Sequence, residues 1–202
     1  NSSMEFIRNK EQTKQSLLDA VDSLVEESGY EALGINAVAA KAGVSKMLIY
    51  RYFGSLEGLI AAYIQQYDYW INFNGTLPSG REGLGLFIKE MFHRQITFLR
   101  ENYTLRRLYR WELSHENSLV EKLRQRREEK GVWLVEAVSR LSGHPRKEVA
   151  AVASVMTAAI SYLVLLEENC LVYNGISIQE EAGWKQIEEG IDLIVDLWIN
   201  RK

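Results

Sequence analysis

Between Ala39 and Leu59 the chain reads AAKAGVSKMLIYRYFGSLEGL, with helix-forming residues on both sides of a Gly43-Val44 pair and a second break at Gly54. A helix that ends at Gly43 and another that begins at Ser45 must cross at a steep angle, because so few residues cannot fold the chain back along the first axis. Glycine suits such a corner, where left-handed backbone angles penalise a β-carbon. The segments INAVAAKA and SKMLIYRYF are each too short to be stable alone, so they must pack on something longer. The preceding segment provides it: Leu17, Val21, Leu24 and Val25 recur at helical spacing, while Lys14, Asp19, Asp22, Glu26 and Glu27 lie elsewhere on the wheel. Val38, Ala39, Ala42, Val44, Ile49 and Phe53 can then share one apolar centre. The pattern is that of a helix-turn-helix, which presents its second helix outward as a rigid rod.

Spacing alone fits an ordinary pair of packed helices equally well, and the charge distribution separates the two. The chain is acidic overall, with a formal net charge of -3, which gives no global case for nucleic acid. From Ala32 to Leu56, however, it carries Lys41, Lys46 and Arg51 and no acidic residue. On a helical wheel Ile49 and Phe53 turn inward, whereas Lys46, Met47, Tyr50 and Arg51 turn outward. Hydrogen-bond donors and aromatic surface therefore share the exposed side, as a DNA-contacting helix requires.

The remainder reads as helix as well. Breaks fall at Gly29, Gly43, Gly54, the run NFNGTLPSG from Asn72, Asn102, SHENS from Ser114, SGHP from Ser142 and YNGIS from Tyr173. Helix starts are expected at Asn9 with Gln12, Ser118 with Glu121 and Ser177 with Glu180, where a side-chain oxygen is followed three residues on by Glu or Gln. Ser45 and Ser55 can cap alone, and Pro145 suits a first turn. With two prolines in 202 residues and no alternating strand pattern, the expected fold class is all-α, about nine helices. The single cysteine, Cys170, excludes an internal disulfide framework and fits a reducing compartment. No charged-then-apolar leader and no apolar run of membrane-spanning length stand out, so a cytoplasmic protein is expected. Asn1 to Ser3 precede the first methionine and read as a cloning remnant.

Tyr63, Tyr67 and Trp70 fall on one face of a fourth helix expected from Ser55 to about Asn72. The segment after Arg81 carries two apolar rows that include Phe87 and Met91, and YTLRRLYRWELS adds Tyr109 and Trp111. These seven aromatic and apolar residues either line a cavity for a small molecule or fill a core; periodicity does not separate the two. The mixed-sign run EKLRQRREEK, from Glu121, reads as a solvated helix face. From Glu148 to Glu167 almost no polar face is left, which predicts a helix buried nearly all round, and the last helix repeats Trp184, Ile187, Ile191 and Trp198 on one side. Val152, Met156, Ile160, Leu163, Ile187, Ile191 and Trp198 are thus the expected contacts of an intermolecular four-helix bundle, unless they close a monomeric core. Glu90-x-x-His93 and Glu112-x-x-His115 share the spacing of di-iron bundles, but no further pair of core glutamates completes a ligand set, so no metal and no cofactor is expected. His144 reads as a loop residue and Cys170 as a small apolar one.

The run AVAAKAGVSKMLIYRYFGSLEGLI, with GYEALGI before it, resembles the DNA-binding domain of the TetR-type transcriptional regulators. The likeness covers roughly the first sixty residues and rests on Ala-Gly-Val-Ser, Tyr50-x-x-Phe53 and Ser55-x-Glu57-x-Leu59. It implies a three-helix DNA-binding domain over 5–54 and a larger helical effector-binding and dimerisation domain over 55–202. It also implies a homodimeric one-component regulator, a repressor rather than an enzyme, that grips a palindromic operator and is released by a small apolar effector. Position by position, the resemblance makes Gly34, Ser45, Lys46, Met47, Tyr50, Arg51 and Tyr52 the DNA-facing residues. Gly34 stands where the family usually has a phosphate-touching Thr, and Leu56 where it has a Lys. Met47 replaces a frequent glycine and can pack against a thymine methyl or against its own neighbours. The rival expectation is a helical small-molecule-binding or metal-dependent protein whose helix-turn-helix does not engage DNA.

Overall fold

Helix α1, Ser2–Ser28, opens the fold in the computed structural model, which describes residues 2–202. It begins well before the expected start. Asn9 and Gln12 sit inside the helix, and their carbonyls accept the hydroxyls of Thr13 and Ser16 at 2.9 and 3.0 Å, so the spacing that resembled a cap is a pair of mid-helix back-bonds. There follow α2 (Ile35–Ala42), α3 (Met47–Phe53), α4 (Leu56–Tyr67), α5 (Leu84–Glu101), α6 (Tyr103–Leu113), α7 (Ser118–Ser142), α8 (Arg146–Leu166) and α9 (Glu181–Ile199). The all-α expectation holds, with one addition. Between α8 and α9 lie β1 (Val172–Tyr173) and β2 (Ile176–Ser177), paired antiparallel with Tyr173 opposite Ile176. Asn174 and Gly175 make the turn with φ of 51° and 81°, the signature of a two-residue type I′ hairpin. Ser177 is therefore a strand residue rather than the start of α9, which is entered from Glu180.

The chain divides into two compact units. One gathers the chain through Asn72 with Asn102–Arg126; the other gathers Phe73–Glu101 with Arg127–Lys202. The compact units thus do not follow the expected boundary after Gly54. In the first unit, Leu17, Leu18, Val21 and Val25 of α1 share a core with Val38 and Ala39 of α2, Ile49 of α3 and Leu59, Ile60 and Ile64 of α4. Leu108 and Trp111 of α6 and Val120 and Leu123 of α7 belong to the same core. The short helices of the turn motif bury too little on their own, and α4 and α6 supply the missing apolar surface.

In the second unit α5 packs on α8 and α9. Ile88, Met91, Phe92, Ile96 and Leu99 of α5 are buried, as are Met156, Ile160 and Val164 of α8 and Trp184, Ile187, Ile191 and Val195 of α9. Polar contacts border this core: Lys89 pairs with Asp196 at 2.6 Å, and a His93 ring nitrogen lies within hydrogen-bond distance of Asp192, at 2.7 Å. Arg100 forks onto Glu167 at 2.9 and 3.0 Å and extends to Glu181 at 2.8 Å, with its guanidinium 4.9 Å from the Trp184 ring centroid. These carboxylates hold the Arg100 pKa above its ordinary value against the opposing effect of burial.

Helix α8, expected to be buried nearly all round, is covered on one side only by its own chain. Ala151, Ser154, Val155, Ala158, Ala159 and Tyr162 are exposed, so one long side of the helix is bare in the single chain. By length and composition, residues 146–169 are also apolar enough to cross a membrane, contrary to the expectation that no such run exists. Their opposite face packs on α5 in this fold. His144 lies in the loop between α7 and α8, as expected, and is buried there against the Trp198 ring with centroids 4.8 Å apart.

Candidate nucleic-acid interface

The corner of the turn motif closes as the sequence demands. Gly43 adopts φ 68° and ψ 32°, its N–H donates to the Ala40 carbonyl at 3.2 Å, and the Val44 N–H donates to the Ala39 carbonyl at 3.1 Å. That pair of bonds is a Schellman cap, which satisfies the last carbonyls of α2 and sets the exit direction of the chain. Ser45 starts the next helix, its hydroxyl accepting from the Met47 N–H at 3.3 Å and its carbonyl from the Leu48 N–H at 3.0 Å. At the far end Ser55 caps α4 by accepting the Gly58 N–H at 3.0 Å. A β-carbon at Gly58 would collide with the Phe53 carbonyl, so the missing side chain is what allows the start of α4 to lie against the end of α3.

The side chains sort as expected. Ile49 is fully buried, whereas Ser45, Lys46, Met47, Tyr50 and Arg51 are exposed, Met47 at 64% and Tyr50 at 47%. Tyr52 is half-buried, and the Lys10 ammonium lies 5.9 Å from its ring centroid. The charge of the motif differs from the sequence count. Lys41 binds Glu27 of α1 bidentately at 2.7 and 3.0 Å, so its charge is neutralised within the fold. Lys46 and Arg51 carry no ion pair among the described residues. Gly34 is the extended N-cap of α2, without a side-chain hydrogen bond and with open space where a β-carbon would stand. Leu56 is half-buried and packs on the core of this unit.

The seven residues expected around a ligand do not gather in one unit. Tyr63, Tyr67, Trp70, Tyr109 and Trp111 belong to the first unit, Phe87 and Met91 to the second. Tyr63 is buried and donates to Asp22 at 3.0 Å; its ring lies 4.7 Å from that of Tyr67. Burial first, and then the Asp22 charge, push the Tyr63 pKa far above the ordinary tyrosine value, so the hydroxyl stays a donor. Tyr67 accepts from Gln15 at 3.0 Å, and Trp111 stacks on the His115 ring at 4.5 Å. Helix α4 ends at Tyr67, so Trp70 lies in the following turn, off the face shared by Tyr63 and Tyr67, where it meets Tyr69 edge-on. In the second unit Met91 is buried, and Phe87 meets Phe73 edge-on with centroids 6.3 Å apart.

Gln95, absent from the sequence-based selection, is 1% exposed on α5, and its Oε1 has no hydrogen-bond partner. Its signal was an amide four residues after Met91 and four before Leu99, within an otherwise apolar row. Of the residues expected at an interface between copies, Met156, Ile160, Ile187 and Ile191 are buried by the unit's own packing. Val152, Leu163 and Trp198 are half-buried, Trp198 donating to Glu148 at 2.9 Å. The large apolar side chains exposed on these helices are instead Val155 and Tyr162 on α8 and Leu193, Ile194 and Leu197 on α9. Among the described residues, no three His, Cys, Asp or Glu side chains gather where they could hold a metal ion.

The geometry defines the class first: a helix-turn-helix protein with an outward, cationic second helix and a further helical unit. Residues 17–63 match the bacterial regulatory proteins of the tetR family over their N-terminal region. Over 75 residues it is 33% identical to the HTH-type transcriptional repressor KstR of Rhodococcus jostii (strain RHA1). That match covers 37% of this chain and 35% of the relative, so the likeness spans about a third of the relative's length. The fold is shared further. A Clostridium perfringens protein provisionally named a fatty acid metabolism regulator superposes with a TM-score of 0.62 at 17% identity, over 89% of this chain and 96% of that one. A TetR-like transcriptional regulator from Rhodococcus sp. RHA1 gives a TM-score of 0.55 at 19% identity, over 88% of this chain and 92% of that one.

Proposed function

We propose that the protein is a homodimeric one-component transcriptional regulator, a repressor, that binds a palindromic operator in the cytoplasm and leaves it when a small apolar effector binds the helical region after α4. The observation that carries the reading is the outward face of α3. Lys46, Met47, Tyr50 and Arg51 are exposed on a rod fixed by a Schellman corner, two of them free cations, in a segment that matches the tetR family. Lys46 and Arg51 suit phosphate oxygens or a guanine edge, and Tyr50 suits the backbone.

One such helix offers few contacts, so a twofold dimer is needed, with half-sites about 34 to 36 Å apart. The exposed apolar positions Val155, Tyr162, Leu193, Ile194 and Leu197 support pairing through α8 and α9, in place of the buried residues first expected there. In the second unit, Met91, Phe87 and Gln95, whose Oε1 has no hydrogen-bond partner among the described residues, have the make-up of an effector wall, apolar with one polar anchor. Release follows from linkage: an effector that binds better to the dimer with wrongly spaced α3 helices must weaken operator binding by the same factor.

Selection of bound duplexes from a random pool at stated salt tests the reading. Enrichment of a palindrome with half-sites one helical turn apart is the expected result. A pool that stays random even in dilute buffer would favour the rival, a helical small-molecule-binding protein that no longer engages DNA. The half-buried Leu56, which brings no ammonium to the start of α4, is the observation on that side.

A further inference from the structure

We infer that Lys10, on α1, is a third phosphate-binding cation of the DNA interface, acting beside Lys46 and Arg51; the inference rests on the DNA-binding reading above. Its ammonium lies 5.9 Å from the ring centroid of Tyr52, which follows Arg51 directly on α3. The fold therefore brings to the C-terminal end of α3 a positive charge that α3 does not itself encode.

Three cations fall between Ala32 and Leu56, but Glu27 neutralises Lys41, leaving Lys46 and Arg51. Two free cations are a small electrostatic footprint for a chain whose net charge is -3. Lys10 has no ion-pair partner among the described residues, and Glu11, the adjacent acid, is occupied with Lys14 at 3.7 Å. Asp19, further along the same helix, accepts from Gln15 at 2.8 Å. The half-buried Tyr52 ring gives the Lys10 stem a fixed place to lie. Lys10 is half-buried, and at 5.9 Å an aromatic face holds its ammonium only weakly, so the head can leave the ring for a phosphate oxygen at small cost.

The test measures binding of the full chain to its selected duplex and to a scrambled one across a series of salt concentrations, for wild type, Lys10→Gln, Lys10→Arg and Arg51→Ala. A phosphate contact predicts that Lys10→Gln weakens both duplexes by the same factor and lowers the salt slope by about one unit, with Lys10→Arg restoring it. An unchanged slope in Lys10→Gln, while Arg51→Ala weakens binding, would overturn the role of Lys10 and leave the DNA reading standing. So would a lowered Tm with unaltered DNA binding, which makes the Tyr52 contact purely structural. If the wild type retards no duplex in dilute buffer, the DNA reading fails first and Lys10 falls with it.

Discussion

The Tyr109 hydroxyl donates to the Asp68 carboxylate at 2.6 Å, tying the end of α4 to α6. Asp68 is 1% exposed, and its other oxygen accepts the Ile71 N–H at 2.8 Å. A buried carboxylate is tolerated only where donors surround it, so this pair holds α6 in the core that also supports the turn motif. Tyr109→Phe removes one charge-assisted bond and leaves the ring in place. The expected loss is about 1.5–3 kcal/mol, read from urea unfolding with the slope unchanged. A loss within error would mean that solvent or another group takes over the donor's place.

Tyr63 gives the same unit a pH dependence with a definite sign. Its folded pKa lies above the unfolded value of about 10, raised by burial and by Asp22. The stability it contributes is complete below pH 10 and is lost as pH rises further, because the unfolded chain then releases the proton first. Between roughly pH 10 and 11 the wild type should therefore lose up to about 1.4 kcal/mol per pH unit more than Tyr63→Phe, in which this group is gone. Parallel stability curves for the two proteins would refute it. Lysine titration is common to both and cancels in the comparison.

Two departures from the family pattern predict gains. Gly34 has an extended backbone and open space at its β-position, so Gly34→Thr should fold with a stability change below about 0.5 kcal/mol. It should also tighten DNA binding by restoring a hydroxyl to the start of α2. Leu56→Lys gives up part of a half-buried packing contact, but its stem can lie on the same surface with the ammonium in solvent. It should tighten binding at all sequences and steepen the salt slope by about one unit. A slope equal to that of the wild type would show that residue 56 never approaches the DNA backbone.

Local features of the fold are written in the sequence, and pairings between distant segments are not. The corner at Gly43, the caps at Ser45 and Ser55 and the inward turn of Ile49 are local, set by backbone angles and helical period, and all were legible. Asn174-Gly175 was equally local, since that pair is the strongest short hairpin signal, yet it read only as a break because the flanking strands are two residues each. Lys41 with Glu27, Tyr63 with Asp22 and Lys10 with Tyr52 each join distant segments, and no periodicity encodes them. Helix α8 shows a different limit. Its length and apolar content were plain, but small residues around the whole wheel do not say which side a neighbour will cover.

That ambiguity makes the α8–α9 surface the place where sequence and structure point to different residues. Ile187 and Ile191 repeat on one face of α9 and are buried against their own unit, so a polar substitution there damages folding and says nothing of association. Leu193 and Leu197 are 60% and 67% exposed, four residues apart on the same helix. Side chains of this size, left bare on α9 with Ile194 as Val155 and Tyr162 are on α8, are the kind of surface that a second copy covers. Leu197→Asp should therefore shift the protein from dimer to monomer in sedimentation velocity at micromolar concentration, while its helical content and unfolding midpoint extrapolated to monomer stay close to wild type. Because each monomer then presents a single recognition helix, operator affinity should fall far more than affinity for random duplex. A Leu197→Asp protein that sediments as a dimer, or a wild type that sediments as a monomer, would move the interface away from these helices.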